Sequence, residues 1–154
     1  MSQITWVVCE ETGRWAAALR LEFARIEKGR RAPGMREVRS LAELKLQLNE
    51  HAGAFSLIEI GQLNLASVLE LVAHREPAIG RFAALLSDTS DRMQTIADVA
   101  WEAGAIDVIE SPRHVHRLVA ICGQLSATRP YIEQPASDRA FAEWALSTLP
   151  WQDA

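Results

Sequence analysis

The chain has 154 residues, with 16 lysines and arginines against 20 aspartates and glutamates, a formal charge of −4. Hydrophobic residues make up 49% and charged residues 23%, which excludes a disordered chain, and the length suits one compact core, with or without an appendage. Cys9 and Cys122 lie too far apart for a disulfide framework, no run approaches the ~20 apolar residues of a membrane span, and mild acidity argues against non-specific nucleic-acid binding.

Met1-Ser2-Gln3 leads straight into Ile4-Thr5-Trp6-Val7-Val8-Cys9, without a basic start or a cleavage site, so a reducing cytoplasm is expected. That apolar, β-branched run reads as a strand buried on both faces. Trp15, Leu19, Phe23 and Ile26 then form a helical stripe, which Lys28-Gly29-Arg30-Arg31-Ala32-Pro33-Gly34 stops. The basic cluster itself reads as a solvated helix end. Met35 to Val38 is a second strand candidate. Ser40 with Glu43 makes a capping box for a helix carrying Leu41, Leu44 and Leu48, which ends near Gly53.

Ala54 to Ile60 reads as the third strand, and Asn64 to His74 as a helix rich in leucine and valine. Arg81 to Leu86 is the fourth strand and Asp91 to Ala103 a helix with Ile96, Val99, Ala100 and Ala103 inward. Ile106 to Ile109 is the fifth strand. His114 to Ser126 is the last helix, with Val115, Leu118, Val119 and Cys122 as its apolar face. Five strand-then-helix units predict a parallel sheet covered on both faces, a doubly wound α/β domain. Ligands and chemistry in such sheets sit beyond the carboxyl ends of the strands. The residues that matter are therefore Cys9, Glu10, Glu11, Glu59, Ser87, Asp88, Glu110 and Ser111.

The strand ends, read together, resemble the receiver domain of two-component response regulators over about the first 129 residues. Val7-Val8-Cys9-Glu10-Glu11 stands where receivers carry paired acids, and Leu57-Ile58-Glu59-Ile60 where they carry the phosphoaccepting aspartate. Leu85-Leu86-Ser87 matches the switch Ser or Thr, and Val108 takes the place of a rotating aromatic. Ala103-Gly104-Ala105 through Ser111-Pro112 keeps the frame of the Lys-Pro motif but puts Ser111 at the lysine. The resemblance implies a flavodoxin-like fold with strand order 2-1-3-4-5, joined to a C-terminal linker and short aromatic helix over residues 130–154.

The departures predict a domain that does not take phosphate. Phosphoryl transfer needs a carboxylate at fixed reach, a divalent ion held by neighbouring acids, and a cation for the transferred group. Glu59 carries one methylene too many, and a displacement of about an ångström can cost ~100-fold in rate. Cys9 is a poor ligand for a hard cation, and Ser111 has no charge. Two readings of Glu59 stay open: a standing mimic of phosphoaspartate projecting towards Ser87, or a polar residue capping a buried strand in solvent. Glu10 and Glu11 read as solvated acids in preference to metal ligands, and Cys9 as a small hydrophobe in preference to a reactive thiol. His114 and His116, spaced by two on a helix, point to different faces and do not share an ion. No Gly-rich phosphate loop follows the first strand.

The resemblance also implies a partner-binding face on the fourth helix, fifth strand and fifth helix, around Arg92, Thr95, Val108, His114 and Arg117. In the tail, Phe141, Trp144 and Trp151 are offered to the domain itself or to a homodimer partner. The expectation is therefore a stand-alone, non-enzymatic, receiver-like domain of bacterial signalling, without cofactor or metal. It would act on a signalling protein and not on nucleic acid or a membrane. The alternative is a small-ligand-binding protein or enzyme on the same fold, using Glu10, Glu59 and Ser87.

Overall fold

The computed structural model describes residues 5–26, 33–51, 53–73, 81–87 and 91–127. Its elements alternate: β1 (Thr5–Cys9), α1 (Arg14–Ile26), β2 (Gly34–Val38), α2 (Leu41–Glu50), β3 (Phe55–Ile60), α3 (Leu65–Ala73), β4 (Arg81–Leu86), α4 (Met93–Glu102), β5 (Val108–Ile109) and α5 (Val115–Ala127). All strand pairs are parallel and the order is β2-β1-β3-β4-β5, as the strand-helix alternation and the resemblance predict. Two compact units divide at Cys122, and the second is described only through the last residues of α5. The linker and the aromatic helix, with Phe141, Trp144 and Trp151, lie outside the described residues.

The period of two along β1 assigns the helices to their faces. Trp6 and Val8 pack with Trp15, Leu19 and Phe23 of α1 and with Val115 and Leu118 of α5. Val7 and Cys9 point the other way, into a core closed by Leu44 and Leu48 of α2, Val68 and Leu71 of α3, and Ile96, Ala97 and Ala100 of α4. Trp6 anchors the first face, standing edge-on to Phe23 and Phe55 at centroid distances of 5.1 Å each. Burying both faces is what lets the strands read as continuous apolar runs.

Several expected boundaries and facings move. Ile26 is 44% exposed, so the α1 stripe ends at Phe23, and α4 begins at Met93 with Ala97 inward where Val99 was expected. His114 belongs to a 3-10 turn, Pro112–His114, and α5 starts only at Val115. The fifth strand is formally two residues long. Its pairing nevertheless runs further back, because Ile106 N–H donates to Phe82 O and Ala84 N–H to Asp107 O. The α2 cap holds in modified form: Ser40 Oγ accepts from Glu43 N–H at 3.2 Å, while the Glu43 carboxylate reaches one residue further, to Arg39 N–H. Among the described residues no helix is long and apolar enough to cross a membrane.

Candidate functional site

The strand order reverses between β1 and β3, and a cleft of about 430 Å³ opens there at the carboxyl ends. Cys9, Glu10, Glu11, Glu59 and Ser87 all line it, together with Arg39 and the β3–α3 loop. Five of the expected site residues are thus brought together. Val108 and Ser111 are not among its lining residues.

Glu10 is 2% exposed, where the sequence suggested a solvated acid. Its two carboxylate oxygens accept the backbone N–H groups of Trp15 and Ala16 at 2.9 and 2.7 Å. These are orphan donors in the first turn of α1, and a carboxylate satisfies both their hydrogen bonds and the helix dipole. The usual capping position cannot do this, because Gly13 precedes α1 with φ +83° and has no side chain to offer. Glu11 remains exposed.

Glu59 turns towards α1 and not towards Ser87. Trp15 Nε1–H donates to its Oε2 at 2.7 Å, and Arg14 Nε lies 3.8 Å from the same oxygen. Glu59 shares a sheet face with Phe55 and Leu57, the face on which α1 packs, so parity along β3 dictates this direction. Ser87 Oγ donates instead to Ile60 O at 3.3 Å. Gly61 keeps this arrangement possible, since a Cβ there would collide with Ser87 Oγ. Asn64 closes the loop, accepting Gly61 N–H and donating to Glu59 O, both at 2.8 Å.

Cys9 is 7% exposed, and burial, with the charges of Glu43, Glu59 and Glu10 adding to it, pushes its thiol up to about 11 from 9.0. The thiol is therefore neutral at pH 7. The linkage has a definite sign. Below pH 9 both folded and unfolded thiols are protonated and nothing changes. Between 9 and about 11 only the unfolded thiol ionises, so stability falls as pH rises. Comparing wild type with Cys9→Ala in urea at pH 8 and pH 10.5, the wild type is expected to lose about 1–2 kcal/mol more than the variant. Equal losses would mean that the thiol is not held neutral.

The donor set does not fit a divalent cation. Both Glu10 oxygens are occupied, one Glu59 oxygen carries the indole, and Cys9 holds its proton. Among the described residues no three His, Cys, Asp or Glu side chains are placed to hold a metal ion. Ser111 caps the turn before α5, its Oγ accepting Arg113 N–H at 3.3 Å.

Of the expected contact face, Arg92, Thr95, His114 and Arg117 are exposed, but Val108 is 7% exposed and buried in the core. Sequence reasoning missed four participants. In the sequence Arg14 only borders a helix, Trp15 belongs to its apolar stripe, Asn64 starts a helix and Asp107 falls within the fifth strand. Asp107 is 2% exposed, and its Oδ1 accepts Val108 N–H at 2.9 Å and Arg117 Nη2–H at 2.8 Å. The available signals were an aspartate inside an apolar run and an arginine ten residues on.

No family model matches the sequence, and no curated protein matches it. A solved structure does: a CheY-like protein (TadZ) from Pseudomonas aeruginosa PAO1, at 22% identity over 80% of this chain and 94% of that one, with a TM-score of 0.53. The chain has a CheY-like, receiver-like fold. At this identity the likeness concerns the fold alone, five parallel strands in the order 2-1-3-4-5 with their helices.

Proposed function

We propose that this chain is a receiver-like domain of bacterial signal transduction that works by contact with a partner protein and does not pass a phosphoryl group. The observation that carries this reading is the occupied Glu59 carboxylate. The position at which a receiver presents its free acceptor oxygen is here an internal hydrogen bond to Trp15 with Arg14 as counter-ion. The neighbouring acid that would hold the metal is spent on the start of α1. Ser111 supplies no cation for an incoming phosphate.

An enzymatic role for the same cleft lacks an activated nucleophile. Cys9 keeps its proton and Ser87 Oγ is hydrogen-bonded to a carbonyl, with no histidine lining the cleft among the described residues. The contact surface in this reading is formed by Arg92 and Thr95 at the start of α4, His114 of the turn before α5 and Arg117 of α5, all exposed. The partner is another signalling protein or a second copy of this chain.

Incubation with acetyl phosphate and Mg²⁺, followed by intact-mass measurement, is expected to leave the mass unchanged. A stable gain of one phosphoryl group that Glu59→Gln abolishes would overturn the proposal.

A further inference from the structure

We propose that Arg14 braces the end of β4 to Glu59, so that the charge on Glu59 sets the local stability at Leu86 and Ser87. The guanidinium has two working edges. Its Nε faces Glu59 Oε2 at 3.8 Å, and its Nη2 donates to the carbonyls that end β4, Ser87 O at 3.2 Å and Leu86 O at 3.4 Å. The plane lies over the Trp15 ring, 5.3 Å from its centroid, while the Trp15 indole is itself fixed on Glu59. One cation therefore links a carboxylate on β3 to two carbonyls at the end of β4, reaching across from the first residue of α1.

The end of β4 has reason to depend on this brace. What fixes Ser87 from the β3 side is its N–H and Oγ on Ile60 O, both long at 3.2 and 3.3 Å. Without the negative charge at Glu59, Arg14 loses the anchor that keeps its other edge on Leu86 O and Ser87 O. The standing charge on Glu59 holds the end of β4 through a cation supplied by α1. The inference rests on the reading of Glu59 as a residue that takes no phosphoryl group. Phosphorylation of Glu59 would sink that reading, whereas the experiment below uses the unmodified protein and tests the brace alone.

The test is amide hydrogen exchange by NMR on the wild type, Glu59→Gln, Arg14→Gln and the double variant. Glu59→Gln suits the purpose because the amide oxygen can still accept from Trp15 Nε1, so only the charge is lost. Exchange of Ser87 is expected to rise about threefold in each single variant, the size expected for a part-exposed ion pair. The double variant should exchange no faster than either single one, and the first turn of α2 should be unaffected in all three. Unchanged exchange at Ser87 in Glu59→Gln would overturn the proposal, as would additive effects in the double variant, which would place the two residues in separate roles.

Discussion

Glu10→Ala is expected to cost about 4 kcal/mol of folding stability, read as a fall in the urea unfolding midpoint at an unchanged slope. Two charge-assisted hydrogen bonds to backbone N–H groups are lost, each contributing about 1.5–3 kcal/mol. An ordinary N-cap substitution costs only about 1 kcal/mol, because water replaces the cap at an exposed helix end. Here the acid is 2% exposed, so the N–H groups of Trp15 and Ala16 are left facing a buried void. Glu10→Gln should recover about half, since its amide oxygen can take one N–H while its NH₂ opposes the other. The sign of the Glu10→Ala effect separates two roles. Clustered acids kept for metal binding or chemistry repel one another, so that removing one stabilises the fold. A gain in stability would therefore return Glu10 to the list of functional ligands.

Arg117→Ala is expected to cost about 3 kcal/mol, the low end of the range for breaking a buried pair. The asymmetry of the pair explains why it is so large for a residue on the surface. Arg117 is half exposed and loses little on its own account, but Asp107 stays behind as a buried carboxylate whose Oδ2 has no hydrogen-bond partner among the described residues. Adding Asp107→Asn should restore part of the loss. The amide oxygen keeps the Val108 N–H bond while the uncompensated charge disappears. A double-mutant cycle with a coupling below about 0.5 kcal/mol would mean that the pair is only a surface contact. The result bears on function as well. Arg117 lies on the proposed contact face, so a binding defect in Arg117→Ala must be set against its stability, whereas Arg92 and Thr95 carry no such tie.

Both predictions concern residues whose roles local sequence could not supply. The strand-helix alternation, the Ser40 cap and the apolar stripes are local or periodic features, and they placed β3 and β4 to within a residue of where they lie. Burial of the whole parallel sheet forces each strand to be apolar, and each crossover forces a helix, so the fold is written redundantly along the chain. The acids at the strand ends were legible as a cluster for the same reason, since every strand in a parallel sheet delivers its last residue to one edge.

What the acids do there was settled only in three dimensions. Glu10 reads as a solvated acid until α1 is seen to turn back so that its first N–H groups meet the carboxylate. Glu59 reads as free to reach Ser87 until the parity of β3 puts it on the α1 face, under the Trp15 indole. Asp107 finds its cation ten residues later, on a helix whose start the sequence leaves loose enough to misplace His114. Hydrophobic periodicity fixes which face of an element is buried, because many residues vote for it. A single polar partner is fixed by the docking of two elements to within an ångström, and no periodic signal carries that. The sequence thus determined a mildly acidic chain with a doubly wound frame and acids at its strand ends. The tertiary structure decided that Glu59 is engaged through one carboxylate oxygen, by a tryptophan and an arginine from the first helix.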